Sequence, residues 1–197
     1  LEYLATQVPG VDPQRIGLYG TSFGGGIAAL AAARSPRPRA VVLSVPVMSG
    51  SQWMQSVHRW YEFREIRRRG LAAVAHKAAT GEVELCERLD IMAPEPQSLV
   101  RYAEKTPISM ETVWHLLQHE PMDHAHRIQA PVYLFGADDD TVVPCDQTRQ
   151  FYERVVTEKQ LEIFPTGNHW VVYDEGLPRV AEATARWFKQ HMGLLTT

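Results

Sequence analysis

Gly20-Thr21-Ser22-Phe23-Gly24 constrains this chain more than any other stretch, because of what flanks it. Before it, Arg15-Ile16-Gly17-Leu18-Tyr19 is a short apolar run closed by Gly20, the pattern of a buried strand. After it, Ile27 to Arg34 is rich in Ala and Leu and stops at Ser35-Pro36, which predicts a helix packed on a sheet. A G-x-S-x-G sequence between strand and helix demands a sharp turn. The serine then takes a strained backbone conformation, and its hydroxyl is lifted clear of the sheet at a helix N-terminus, a place that favours negative charge. Both flanking glycines are expected to avoid collision with the neighbouring strand or helix. Without that context the five residues would be a glycine-rich turn with an incidental serine. With it, they point to a nucleophile.

The rest of the chain alternates in the same way. Ala40 to Val45 is a second buried strand, Pro131 to Gly136 a third and Leu161 to Phe164 a fourth. Helices are predicted over Leu1 to Ala5, Gln147 to Val156 and Leu177 to Met192, the last with Val180, Ala183, Trp187 and Phe188 on one face. Strand–helix–strand order implies a parallel sheet and an α/β fold. Residues from about 48 to 128 break the rhythm. They are helical in flavour, carry Trp53, Met54, Trp60, Tyr61 and Phe63 before an arginine-rich stretch, and are punctuated by Pro94, Pro96, Pro107 and Pro121. The expected organisation is a core of residues 1–50 and 121–197 with an insertion over 51–120, mostly helical and without paired strands.

Composition narrows the class. Apolar residues make up 45% and charged residues 22% of 197 residues, which excludes a disordered, collagenous or disulfide-built chain. A net charge of -3 argues against a nucleic-acid partner or an anionic membrane surface. The longest apolar stretch, Ile27 to Ala33, is far short of the roughly 20 residues a membrane helix requires. Cys86 and Cys145 lie far apart with no C-x-x-C, the usage of a reducing, cytoplasmic compartment. The first residue is Leu1 inside a helical pattern, so an N-terminal part of a longer protein is expected to be missing.

Serine needs a base held by an acid. Of eight histidines, His169 follows the fourth strand in Thr166-Gly167-Asn168-His169, at the end of a parallel strand where such sites sit. His58, His76, His115 and His119 fall on insertion helices, His124 and His126 on the approach to the third strand, and His191 near the C-terminus. His115 and His119 have i,i+4 spacing but no H-E-x-x-H, so no metal is expected. The acid should follow another strand, and Asp138-Asp139-Asp140 does so after Gly136. These aspartates have turn and helix-capping readings as well. With one of the three orienting His169, the chain order becomes serine, acid, histidine.

Gly-Thr-Ser-Phe-Gly-Gly-Gly, the loop from Gly136 to Pro144, and Gly-Asn-His together resemble the three functional loops of the α/β-hydrolases, and they span nearly the whole sequence. Asp12 to Gly20 is most similar to the dienelactone-hydrolase and prolyl-peptidase-like branches, and Val45 to Gly50 to uncharacterised bacterial hydrolases and fungal polyketide-processing relatives. The resemblance implies a parallel-sheet α/β-hydrolase fold, partial, with a helical lid insertion. It implies Ser22 as nucleophile, His169 as base and the backbone N–H of Phe23 as an oxyanion donor. Counting from Gly136 puts the acid at Asp139, and counting back from Pro144 puts it at Asp140. Asp140 is chosen because Asp-Thr-Val-Val-Pro reproduces the part of the loop that aims the carboxylate, and Asp139 stands second. The serine oxygen should then lie within roughly 3.5 Å of a ring nitrogen of His169.

The expected activity is a serine hydrolase acting on a carboxylic ester or related acyl bond of a small-molecule substrate, without metal or organic cofactor. Thioesterase, peptidase and acyltransferase chemistry use similar residues, and a truncated, non-catalytic binding protein is the reading of a different class. Trp53, Met54, Trp60 and Phe63 of the lid, and Trp170, either line an acyl pocket or form core. Arg64, Arg67, Arg68 and Arg69 either hold an anionic group or face solvent. No upstream loop supplies the family's other oxyanion donor. The Arg15 to Tyr19 strand is expected to be an apolar edge, with Ile16, Leu18 and Tyr19 buried in character, so self-association is expected too.

Overall fold

A computed structural model describes residues 1–92 and 107–193. Pro94 and Pro96 lie outside the described residues. The chain divides into two compact units, Leu1–Met48 with Pro121–Thr197, and Ser49–Glu120.

The first unit is built on four parallel strands: β1 (Ile16–Thr21), β2 (Pro38–Ser44), β5 (Val132–Ala137) and β6 (Lys159–Phe164), in the spatial order β1-β2-β5-β6. The apolar runs explain the pairing. Side chains alternate between faces along a strand. Val41, Leu43, Val132 and Leu134 therefore join one core with Ala28, Ala29, Ala32 and Ala33 of α2 (Phe23–Arg34) and Phe151 of α6 (Cys145–Arg154). The alternate residues Val42, Tyr133 and Phe135 join the other core with Val180 and Trp187 of α7 (Leu177–His191). Both faces of β2 and β5 are covered, which is why their sequences are continuously apolar. A short α1 (Glu2–Gln7) precedes β1. Among the described residues no helix is long and apolar enough to cross a membrane.

The two sheet edges differ. β6 carries Lys159, Gln160 and Glu162, the polar dressing that blunts an edge. β1 reads Ile-Gly-Leu-Tyr-Gly-Thr with no charge, and no strand pairs with its outer side among the described residues. Its edge position agrees with the sequence, but the burial does not. Ile16 is buried and Leu18 half-buried, whereas Tyr19 is 46% exposed. The Tyr19 hydroxyl donates to Ser44 Oγ at 3.3 Å, so its ring lies across the sheet border with its polar end toward β2.

The second unit contains α3 (Gly50–Val57), α4 (Trp60–Thr80) and α5 (Thr112–Leu117). Glu62 accepts the Arg59 backbone N–H at the start of α4, and Gly81 at φ +78° ends it. Phe63, Ile66, Gly70 and Ala73 form its buried face, and a methyl group on Gly70 would come within 2.7 Å of Val113 Cβ, so glycine permits the close approach of α5. Trp53, Met54 and Phe63 are core residues of this unit, whereas Trp60 is exposed. Arg68 pairs with Glu65, and Arg69 with Glu84, at the surface. One expectation fails. Two paired strands occur here, β3 (Leu85–Glu87) and β4 (Pro107–Ser109), antiparallel. Each is three residues long, and Cys86 is the buried residue of β3, so no strand period stands out in the sequence.

Candidate active site

The turn from β1 into α2 places Ser22 at φ 55° and ψ -127°, a left-handed conformation for a residue with a side chain. Such strain costs about 1–3 kcal/mol and persists only where surroundings enforce it. Three backbone bonds do so. Ser22 N–H donates to Ser44 O at 2.8 Å, and Ser22 O accepts from Gly25 N–H at 2.9 Å and Val47 N–H at 3.1 Å.

The glycines divide the steric work differently from the sequence reading. A Cβ on Gly20 would sit 2.3 Å from the Gly24 carbonyl oxygen, so Gly20 is obligatory. A Cβ on Gly24 would meet nothing within 4 Å, so collision does not explain that glycine. The tight position is Gly25, where a Cβ would lie 2.7 Å from Pro46 Cβ. Gly20→Ala should therefore lower stability by about 3 kcal/mol, the upper range for overpacking. Gly24→Ala should stay within about 1 kcal/mol of the parent, on the stabilising side, since alanine favours a helix. Thermal unfolding of the two variants checks the contrast.

His169 lies beyond β6, after Gly167 at φ +107°. Asp140 lies beyond β5. The structure brings both to Ser22: His169 Nε2 is 3.0 Å from Ser22 Oγ, and Nδ1 is 2.7 Å from Asp140 Oδ2. The carboxylate only accepts, so Nδ1 carries the proton and donates it, which leaves Nε2 to accept from the serine hydroxyl. Asp140 Oδ1 accepts from the N–H groups of Val142 (2.8 Å) and Val143 (2.7 Å). The Asp140 and His169 side chains are only 1% and 3% exposed, a dry setting for the pair. The other two aspartates are placed elsewhere. Asp138 pairs with Arg149, and Asp139 is exposed.

Phe23 opens α2, so its backbone N–H lies in the first helical turn beside Ser22. Trp170 stands edge-on to His169 with ring centres 5.6 Å apart, and Tyr173 lies 5.7 Å from Trp170. Burial pushes the Cys145 thiol up to about 11, so it stays protonated near neutral pH and is no rival nucleophile. The remaining histidines have other surroundings. His58 Nε2 faces Ile91 O, His76 Nε2 lies 3.4 Å from a Glu82 carboxylate oxygen, and His191 Nε2 lies 3.6 Å from one of Glu158. No group of three or more metal-ligating side chains assembles among the described residues.

Sequence reading missed two features of the loop after β2. Val45 has φ 40°, an outlier for a β-branched residue, and its N–H donates to Phe135 O. Gln147 accepts from Met48 N–H at 2.8 Å across 99 residues of sequence. The Pro46 that follows it and the loss of strand pattern hinted at the first. Nothing local marked the second.

A parallel sheet covered on both faces, with an elbow serine facing a histidine and an aspartate from later strand ends, defines the α/β-hydrolase class. Within it, the sequence model of the serine aminopeptidase S33 family matches residues 1–176, and the chain belongs to that family. It is 29% identical over 197 residues to an uncharacterized 31.7 kDa protein from the traX-finO intergenic region of Escherichia coli, covering 92% of this chain and 67% of that protein. It is 23% identical over 206 residues to the polyketide transferase claH of Penicillium crustosum, covering 95% and 67%. The α/β-hydrolase GrgF from Penicillium sp. sh18 superposes with a TM-score of 0.75 at 20% identity, covering 95% of this chain and 67% of that one.

Proposed function

We propose that the protein is a serine hydrolase that cleaves a carboxylic ester or related acyl bond through an acyl-enzyme on Ser22. One observation carries the reading: a strained serine whose Oγ is 3.0 Å from a histidine that is itself 2.7 Å from a buried carboxylate. His169 Nε2 takes the hydroxyl proton as Ser22 Oγ bonds to the acyl carbon. The Phe23 N–H and the N-terminal end of α2 stabilise the resulting oxyanion. His169 then gives its proton to the leaving oxygen, the acyl–oxygen bond breaks, and the alcohol departs. Water, deprotonated by His169, attacks the acyl-enzyme, and collapse returns the proton to Ser22 and frees the acid.

The uncharged outer side of β1 supports a further strand beside it. A strand there, upstream in the family's order, would also bring the loop that gives the second oxyanion N–H. The Asp12 to Gly20 stretch supports a place near the dienelactone-hydrolase and prolyl-peptidase-like branches. We assign Ser49–Glu120 the role of a lid from its place in the chain between β2 and β5. A second reading, transfer of the acyl group to an alcohol instead of water, is favoured by the relative named a polyketide transferase.

A fluorophosphonate probe tests the core of this. The protein should gain one phosphonyl adduct, located on Ser22 by peptide mass spectrometry, and should release nitrophenol from a short-chain nitrophenyl ester. Absence of both would defeat the proposal. Adding a simple alcohol and measuring acyl ester against free acid separates transfer from hydrolysis.

A further inference from the structure

We infer that Gln147 is a positioning residue that locks the nucleophile arm to the acid arm. The inference rests on the proposed serine-hydrolase reading and assigns it a residue outside the Ser22, His169 and Asp140 set.

The geometry forms a closed ring. On one side, Ser22 meets His169 and His169 meets Asp140. Asp140 Oδ1 holds the N–H groups of Val142 and Val143, and the next residue, Pro144, leads directly into α6. Gln147 N–H donates to Pro144 O at 3.0 Å, so Gln147 sits in the first turn of that helix. From there its side-chain oxygen accepts Met48 N–H at 2.8 Å. The residue before, Val47, donates its N–H to Ser22 O at 3.1 Å and so returns to the starting serine. The catalytic contacts close this ring on one side, and the Gln147 bond closes it on the other.

The chemistry of the closure is specific. Gln147 is 3% exposed, and a buried amide is costly unless its polar atoms are bonded. Met48 N–H lies in a loop that is neither helix nor strand, so no regular backbone ladder serves it. A side-chain oxygen on a long stem from α6 does. The same loop carries Val45 at φ 40°, and four ties hold it: the N–H groups of Val45, Val47 and Met48 donate to Phe135 O, Ser22 O and Gln147, and Met48 O accepts from Met122 N–H at 2.8 Å. Of these, only the Gln147 tie joins the loop to α6, so removing it uncouples the segment that grips the Ser22 carbonyl from the arm that carries Asp140. The serine would keep its neighbours but lose its fixed approach to His169. Misplacement on the ångström scale costs on the order of 100-fold in rate.

The test is the second-order rate of Ser22 labelling by a fluorophosphonate in the 197-residue chain, measured well below each variant's unfolding midpoint. Gln147→Met removes the acceptor at similar length and should label roughly 10- to 100-fold more slowly per folded molecule. Gln147→Glu keeps an acceptor oxygen and should recover most of the rate. Thr148→Val alters the next buried polar side chain of the same helix and should label like the parent, even if it unfolds earlier. If Gln147→Met fails to fold, Gln147→Asn, with its shorter reach, stands under the same expectations. Labelling of Gln147→Met within twofold of the parent, or equal slowing in Gln147→Glu, would overturn the inference while leaving the hydrolase reading intact. A parent protein that does not label, or a Ser22→Ala variant that does, would sink both.

Discussion

Ser22→Ala should reduce ester turnover by roughly 10⁴- to 10⁶-fold, the range seen when the nucleophile of a serine triad is removed. His169→Ala should lose a similar factor, and the double variant little more than either, because the groups act as one unit. The physical basis is that neither works alone: the hydroxyl is a poor nucleophile until Nε2, 3.0 Å away, takes its proton. Folding should survive. The three bonds that fix the turn run through the Ser22 backbone, not through its hydroxyl. Ser22→Gly extends the argument. Glycine tolerates φ 55° without strain, so this variant should be as inactive as Ser22→Ala yet unfold a few degrees higher. Initial rates with a nitrophenyl ester and thermal unfolding together decide it. A Ser22→Ala protein with more than a tenth of parental turnover would place the chemistry elsewhere.

The parts of this fold that were legible in the sequence are those fixed by burial on two faces. Ala40 to Leu43 and Val132 to Phe135 are all buried, so their composition had little freedom, and their order along the chain followed. The Gly-Thr-Ser-Phe-Gly stretch was legible because a strand and a helix flank it. Properties set by one close contact were not. Gly24 and Gly25 look alike in sequence, yet only Gly25 meets Pro46, 21 residues later. Tyr19 looks like core, but a strand at a sheet border leaves one side open. The β3–β4 pair joins segments about twenty residues apart, each too short to show a period.

The choice among Asp138, Asp139 and Asp140 shows the same limit at the candidate site. All three occupy one turn, and counting from either end of the loop gives different answers. Spacing cannot settle which carboxylate points inward. In the structure, Arg149 draws Asp138 to the surface, Asp139 meets solvent, and the N–H groups of Val142 and Val143 turn Asp140 toward His169.

Asp140→Asn should therefore cost roughly 10⁴-fold in kcat, the scale for a triad carboxylate, while Asp138→Asn and Asp139→Asn should stay within about threefold of the parent. The reason lies in donors and acceptors. Asp140 Oδ1 faces two N–H groups and Oδ2 faces His169 Nδ1. An asparagine has one oxygen and one NH₂. The two N–H groups claim the oxygen, since an NH₂ there would set donor against donors. The NH₂ is then left facing Nδ1, which must accept. The imidazole proton moves to Nε2 and points at the Ser22 hydroxyl, so the base no longer has a lone pair where the proton must go. The fold should change little, because the loop bonds persist. Asp140→Ala separates the two effects, as it removes both the orienting group and the loop's acceptor. It should be destabilised by about 1–3 kcal/mol where Asp140→Asn is not. Turnover and thermal unfolding of the four variants make the measurement. A loss confined to Asp139→Asn would move the acid by one residue and leave Ser22 and His169 in place.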